Sequence, residues 1–219
     1  MPEGPEVWIL SKAINEHYKN EFTRTGNKTV SIGKHLIIND VYEIWSFGLT
    51  GKVHINNLNE LNKKQTGWVY GDQLKFTDYN DTIKDLGLDW MIASRKSLEE
   101  VVDKWIKSKQ KLASLILDQS MIAGIGIAWG SEILFSAGVR PDIRACDQVL
   151  NTLVDEMIRV RKEVQELYKN ELYKNELISN KLNVKEFINN WFSNLYDVRK
   201  MKIYKKGTKI LVLGRGWWV

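Results

Sequence analysis

The stretch LILDQSMIAGIGIAWGSEILFSAGVRPD, residues 115–142, decides the fold of the carboxyl-terminal half. Apolar residues recur at helical spacing on both sides of the Ala-Gly-Ile-Gly segment at 123–126. Because glycine commonly ends helices, the pattern predicts a helix that includes Ile122, a tight glycine turn and a second helix that ends near Gly138. Backbone N–H groups at such a turn could hold a phosphate, or the glycines could merely separate two helices.

Further helices and strands are predicted on either side of this element. Ser97 and Glu100 form a capping box ahead of an apolar run, and a long amphipathic helix is predicted from about Asp147. In the amino-terminal half, β-branched and aromatic residues alternate with polar ones at 29–55 and 67–76. This alternation, bounded by turn signals, predicts a sheet sandwich.

The composition is that of a soluble globular protein of one or two domains. Of the 219 residues, 43% are hydrophobic and 27% are charged, which excludes the disordered and fibrous classes. No apolar run approaches the roughly 20 residues of a membrane span, and the chain does not begin like a signal peptide. We therefore expect an intracellular protein without a membrane partner. With one cysteine and three histidines, a structural zinc is excluded, and neither a metal nor a cofactor is expected.

Positive charge is concentrated towards the end of the chain. The net charge is +5, yet residues 1–95 carry 11 basic and 12 acidic side chains, whereas residues 199–219 carry seven basic ones and no acidic one. That density suits a polyanion such as nucleic acid, although a solvated hairpin explains it equally well. The ending predicts two short strands joined at Arg215, whose guanidinium would be presented at the tip and suits phosphate.

The first six residues, MPEGPE, carry the most unusual chemistry. Removal of Met1 would leave Pro2 with a free secondary amine, and Pro5 predicts the first turn of a helix beside it. The positive end of that helix would lower the pKa of the amine and favour its neutral form. Such an amine can attack a carbonyl-like carbon and form an iminium, with Glu3 as proton donor and acceptor. The same residues also make ordinary helix-capping chemistry.

Segments along nearly the whole chain resemble, in order, the Fpg/Nei family of formamidopyrimidine-DNA glycosylases and endonucleases VIII. The opening MPEGPEV resembles the family's start in its Nei-like variant. SIGKHLII at 31–38 is similar to the strand that carries the family lysine, and SFGLTGKV at 46–53 to the hairpin that follows. Residues 115–126 and 131–142 resemble the helix-two-turn-helix DNA-binding element, and GRG at 214–216 resembles the arginine hairpin.

The resemblance implies a catalytic role for the chain start. Pro2 would be the nucleophile that attacks C1′ of the damaged nucleoside, and Glu3 would assist the opening of the sugar ring. After the base leaves, the iminium acidifies the 2′ hydrogens, so that β- and then δ-elimination cut the strand. One nucleophile would therefore serve both activities.

The resemblance also implies a DNA-binding role for residues further along. Lys34, otherwise an edge charge before a strand, would join Arg215 in holding phosphates around a lesion rotated out of the duplex. Leu49 matches the position from which the family pushes an apolar side chain into the base stack. Gly124 and Gly126 lie in the glycine turn of the DNA-binding element.

Three departures from the family pattern are visible. The cysteine zinc finger is absent although the arginine hairpin remains, as in the zincless-finger subtype. Ile127 stands where an asparagine usually contacts DNA phosphate, so Lys109 and Lys111 are candidates to replace that contact. Residues 77–84 hold no counterpart of the arginine and phenylalanine that fill the gap in the stack, which favours weak selectivity for the opposite base and action on single strands.

We therefore predict an α+β fold in three parts: a β-sandwich domain with a catalytic helix at 1–95, a helix-two-turn-helix domain at 96–200 and a zincless-finger hairpin at 201–219. The expected protein is a monomer that binds damaged DNA, double-stranded and single-stranded, and removes oxidised bases, pyrimidines first, with β,δ-elimination at the abasic site. An alternative is a DNA-binding protein without catalysis. An RNA-binding protein that uses the same helical element would leave the chain start unexplained.

Overall fold

The computed structural model describes residues 3–13, 15, 29–38, 43–47, 52–53, 69–70, 74–77, 83–174 and 201–219. The chain divides into two compact units, Met1–Lys84 with Gln165–Tyr196 and Asp85–Val164 with Asp197–Val219. Helices and strands occur together, as the predicted α+β class requires. The predicted domain limits at 95/96 and 200/201 follow the resemblance and stay a prediction.

A helix and an antiparallel sheet form the described part of the first unit. Helix α1 (Gly4–Ala13) packs on strands β1 (Thr29–Ile32) and β2 (His35–Ile38). Strand β3 (Glu43–Phe47) follows in the chain, then the short pair β4 (Lys52–Val53) and β5 (Val69–Tyr70), then β6 (Leu74–Thr77). The larger sheet has the order β1-β2-β3-β6 and is antiparallel throughout, while β4 and β5 form a separate sheet.

Among the described residues of this unit, the core contains apolar side chains from α1 and from both faces of β2. Val7 and Leu10 on the helix and Leu36 and Ile37 on β2 are at most 1% exposed. Burial of each such side chain stabilises the fold by about 1.5–3 kcal/mol. This packing confirms the predicted helix at the chain start and ties it to the strand that follows Lys34.

The second unit contains most of the helices. Its elements in chain order are β7 (Leu88–Asp89), α2 (Arg95–Ser108), α3 (Leu112–Leu115), β8 (Ile122–Ala123), α4 (Ile127–Ser136), the start of α5 (Asp147–Lys174), β9 (Lys209–Val212) and β10 (Arg215–Trp218). Its core contains the large buried side chains Trp90, Trp105 and Trp217. In the ranges that the structure describes, no helix is both long and apolar enough to cross a membrane.

Two predictions about the limits of helices in this unit are wrong. Helix α2 starts one turn before the predicted capping box, because Ser94 is its N-cap and accepts the Ser97 N–H at 3.1 Å. Ile122 lies in β8, which runs parallel to β7, and not in a helix. Gly87 permits this pairing, since a Cβ there would lie 2.4 Å from the carbonyl carbon of Met121. The predicted helix–turn–helix therefore contains a short strand before its glycines.

Candidate functional site

The start of α1 is fixed by a side-chain cap from Glu6. Glu3 precedes the helix, and its backbone N–H donates to Oε2 of Glu6 at 2.9 Å, while the Val7 N–H donates to the Glu3 carbonyl at 3.2 Å. Both glutamates are buried, at 4% exposure for Glu3 and 1% for Glu6. A third helical residue that reaches back to the N-cap N–H is the capping-box arrangement. The course of the chain at Glu3 is therefore fixed by the helix itself.

Lys34 lies in the tight turn between β1 and β2. Ile32 pairs with His35, so Gly33 and Lys34 alone form the turn. Gly33 has φ +56°, which a type II′ turn requires at this position and which glycine adopts without strain. Burial lowers the pKa of the half-buried His35 imidazole, and the charge of Lys34 lowers it further. At neutral pH the turn therefore presents the charge of Lys34 beside a neutral imidazole.

The side chain of Gln119 organises the glycine turn from within. Its Nε2 donates to the carbonyls of Leu117 at 3.0 Å and Ile125 at 2.9 Å, and its Oε1 accepts the N–H of Gly124 at 3.0 Å. Gly124 is buried with φ +99°, a conformation that suits glycine. The Gly124 N–H is thus engaged inside the loop, which differs from the predicted exposed phosphate donor.

Helix α4 begins directly after this loop. Gly126 is its buried N-cap, and its carbonyl accepts the Gly130 N–H at 2.8 Å. Ile127 is the first helical residue and is half-buried. Since an isoleucine side chain has no hydrogen-bond donor, a side-chain bond to phosphate at this position is ruled out.

Basic side chains lie close to the same loop in sequence. The backbone of Lys111 bridges that of Arg144 in antiparallel fashion, and both residues, with Lys109, are exposed. Asp142 pairs with Arg140 at 3.0 Å. Within the described ranges no carboxylate oxygen lies within 4.0 Å of the charged groups of Lys109, Lys111 or Arg144. Cations without such partners are suited to contact phosphate.

Arg215 opens the second strand of the terminal hairpin. It pairs with Val212, so the turn consists of Leu213 and Gly214 alone. These residues have φ +53° and +72°, as a type I′ turn requires. The arginine is exposed but lies beside the tip, so the prediction that it forms the tip is wrong. The register explains the difference, because the Val212 pair closes the hairpin one residue earlier.

A buried carboxylate of α4 holds the segment that leads into the hairpin. Glu132 is 5% exposed. Its Oε2 accepts the Lys202 N–H at 2.8 Å, and its Oε1 accepts those of Ile203 at 2.8 Å and Tyr204 at 2.7 Å. Charge-assisted hydrogen bonds of this kind offset the cost of burying a carboxylate. Glu132 therefore positions the segment that precedes β9.

The hairpin also packs against α4. Trp217 is fully buried, and Gly130 leaves space for its ring, since a Cβ on Gly130 would lie 3.2 Å from Cζ3 of Trp217. The Trp218 N–H donates to Oγ of Ser131 at 3.3 Å. Residues 199–219 contain neither cysteine nor histidine, so they do not fit a zinc ion. Packing, strand pairing and a buried carboxylate hold the arginine hairpin in place.

The predicted site residues fall into three groups. In the first unit, α1, which Glu3 precedes, packs on the hairpin that carries Lys34. In the second unit, the glycine turn leads into α4, and α4 contacts the strand that begins with Arg215. Pro2 and Leu49 lie outside the described residues, and the roles of all these residues stay predictions.

Sequence reasoning missed Glu132 and Gln119. Glu132 is the one charged residue in the otherwise apolar or small helix IAWGSEILFS, and a lone carboxylate on an apolar helix is a signal that could have identified it. Gln119 offers no such signal, because its sequence neighbours are polar on both sides and its three hydrogen bonds depend on how the loop closes.

Comparison with solved structures defines the class of fold. The Lactococcus lactis formamidopyrimidine-DNA glycosylase in complex with oxidised-pyrimidine DNA aligns with 99% of this chain and 97% of that chain, at a TM-score of 0.67 and 18% identity. The same enzyme bound non-covalently to DNA with an abasic site aligns with 99% and 96%, at a TM-score of 0.66 and 17% identity. The chain therefore has the α+β fold of this class of DNA glycosylase.

Sequence comparison agrees with the fold. The formamidopyrimidine-DNA glycosylase of Rickettsia felis is 25% identical over 93% of this chain and 87% of that protein. That of Pediococcus pentosaceus is 36% identical, but over only 31% of this chain and 22% of that protein. Matches to three other curated relatives likewise cover 20 to 37% of their length. No family model matches the chain.

The chain is therefore similar to formamidopyrimidine-DNA glycosylases in fold and, at 24–25% identity, in sequence. The Nei-like, zincless-finger subtype stays a prediction from the residues quoted above.

Proposed function

We propose that the protein is a base-excision DNA glycosylase that removes oxidised bases, pyrimidines first, and then cleaves the strand at the abasic site. The chain start carries this proposal. A Pro-Glu pair precedes α1, and the N–H of the buried Glu3 is fixed by Glu6. The names of the relatives and the lesion-containing DNA of the solved neighbours support the same reaction class.

The proposed reaction begins with the ring nitrogen of Pro2. This nitrogen forms a bond to C1′, the bond from C1′ to the base breaks, and the base departs with a proton. Glu3 assists opening of the sugar ring by protonating its oxygen, and the nitrogen loses its own proton, which leaves an iminium. Loss of a 2′ proton then expels the 3′ phosphate, and a second elimination expels the 5′ phosphate. Water hydrolyses the iminium and frees Pro2.

Basic residues of each unit supply the proposed phosphate contacts. Lys34 and Arg215 hold phosphates, and Leu49 enters the base stack in place of the rotated nucleotide. Lys111 and Arg144 replace the side-chain contact that Ile127 lacks. The substrate is damaged DNA, double-stranded and also single-stranded.

Trapping with borohydride tests the reaction. Reduction of the iminium should link the protein covalently to abasic-site DNA, and mass spectrometry should place the link on residue 2. The matched control is the same protein with a short amino-terminal extension, which leaves every residue in place but turns the Pro2 amine into an amide. We expect no linkage and no base release from the extended protein. Equal trapping by both proteins would overturn the proposal.

Ile127 favours one alternative, a DNA-binding protein without turnover, because the substitution removes a donor from the DNA-binding element. Such a protein would bind abasic-site DNA in a mobility-shift assay and yet give no borohydride-trapped species. The wild-type protein with a free amino terminus therefore distinguishes the two functions in a single experiment.

A further inference from the structure

The tip of the β9–β10 hairpin exposes a leucine in a strained conformation. Leu213 is 61% exposed and has φ +53°. Glycine and asparagine adopt the left-handed conformation readily, whereas a leucine there costs free energy. A glycine at 213 would satisfy the type I′ turn better, so the turn alone does not account for the leucine. A strained backbone that presents an apolar side chain to solvent points to function.

The surroundings of Leu213 define the chemistry of its partner. The described segment 201–219 carries five basic side chains and no acidic one, and Arg215 follows Leu213 by two residues. Nucleic acid combines the matching negative charge with apolar surface, because deoxyribose and base faces lie between its phosphates. An apolar side chain beside a phosphate-binding arginine matches this succession of apolar sugar and base surfaces and charged phosphates.

The hairpin register places the other exposed leucine on the face away from Arg215. Leu211 is 78% exposed and pairs with Gly216, whereas Arg215 pairs with Val212. Since neighbouring residues of a strand point to opposite faces, Leu211 lies on the face opposite to that of Arg215. Leu211 therefore provides a matched exposed leucine in the same hairpin that does not share the face of the arginine.

We propose that Leu213 packs against the sugar and base surface of DNA next to the phosphate that Arg215 binds. The proposal rests on the proposed function, since it requires DNA at the hairpin. The proposed contact is made by the tip of the hairpin and involves no charged side chain. Loss of the Leu213 side chain therefore weakens binding without altering the salt dependence, whereas loss of the arginine lowers the salt dependence.

The test compares three variants in fluorescence-anisotropy titrations with a duplex that carries a tetrahydrofuran abasic analogue, at several salt concentrations. L213G is expected to bind about tenfold more weakly than wild type, with an unchanged slope of log affinity against log salt. R215Q is expected to lower that slope by about 0.9. L211T is expected to bind like wild type. Thermal melting should show L213G to be at least as stable as wild type, because glycine relieves the strain.

Each outcome separates the proposal from the function on which it rests. If R215Q weakens binding while L213G binds like wild type, the Leu213 contact is overturned and the function stands. If neither variant changes binding, the hairpin is not a DNA contact, and both the contact and the hairpin's part in the proposed function fail. Binding of anionic phospholipid vesicles that L213G abolishes, with DNA affinity unchanged, would identify a membrane surface as the partner and overturn the proposal.

Discussion

The single side chain of Glu132 holds the segment that leads into the terminal hairpin. Its carboxylate accepts three consecutive backbone N–H groups, from residues 202 to 204, at 2.7–2.8 Å. The segment that these groups belong to leads directly into the hairpin that carries Arg215. Since the hairpin has no metal-ligating cysteine or histidine, its position depends on this carboxylate and on the packing of Trp217.

Substitution of Glu132 should loosen the hairpin. E132Q retains the size of the side chain but loses its charge and places an amide group where an acceptor is needed. We expect a loss of about 2 kcal/mol in the free energy of unfolding, a melting temperature lower by roughly 4–8 °C for a chain of this size, and weaker DNA binding. E163Q, in an exposed ion pair on α5, should change stability by less than about 0.5 kcal/mol. Wild-type melting and binding in E132Q would contradict the role of Glu132.

His35 should make the first unit sensitive to mild acid. Burial, and secondarily Lys34, lower the pKa of this imidazole in the folded protein. Below the ordinary histidine pKa the unfolded chain therefore binds a proton more readily than the folded chain does, and stability falls as the pH drops. Above that pKa, His35 contributes no pH dependence.

Replacement of His35 by glutamine should flatten this response. Urea unfolding of H35Q, measured between pH 7 and 5.5, should show a smaller loss of stability than wild type over the same range. The comparison uses the change with pH and not the absolute stability, because the substitution also alters packing on β2. Equal pH slopes in the two proteins would show that His35 is not the titrating group.

At the scale of elements, the glycine turn and the adjacent cations differ in the groups that they can offer to a phosphate. Gln119 uses the Gly124 N–H inside the loop, and Ile127 offers no side-chain donor. The backbone bridge between Lys111 and Arg144 joins the segment before α3 to the segment after α4. The phosphate contacts of this element are therefore expected from the bridge and not from the glycine turn.

The double variant K111A/R144A should reduce the number of phosphate contacts. We expect the slope of log affinity against log salt to fall by about 1.8, which is about 0.9 for each lost contact. K96A/K104A removes the same charge from exposed positions on α2 and should leave the slope unchanged. Equal slopes in both double variants would show that total charge, and not the bridge, governs the binding.

Local signals in the sequence predicted the elements, and long-range contacts decided where they begin and end. Gly138 and Pro5 mark the ends of helices by their own conformations, so α1 and α4 could be predicted. Ile122 could not, because its strand depends on the close approach of Gly87 from a distant segment. The tip at Leu213 was missed for a similar reason, since the pairing of Arg215 with Val212 fixes the register and leucine carries no turn signal.

At the scale of the whole molecule, the two units differ in what the sequence reveals about them. The first unit holds the residues with proposed chemistry, and its motifs at the chain start and at Lys34 are local and were recognisable. The second unit depends on tertiary contacts, such as β7 with β8 and α4 with β10. These contacts group residues 85–95 with the second unit, although the predicted limit lies at 95/96.

The whole protein should fold and bind DNA without a metal. The chain has one cysteine and three histidines, none of them within residues 199–219, whereas a structural zinc site needs four ligands drawn mainly from these types. Incubation with EDTA followed by gel filtration should leave the melting temperature and the affinity for abasic-analogue DNA unchanged. E132Q, treated in the same way, should keep its own lower values, because its defect is a lost carboxylate and not a lost ion. A loss of stability in EDTA-treated wild type that added Zn²⁺ restores would show that a metal, and not Glu132 and Trp217, holds the hairpin.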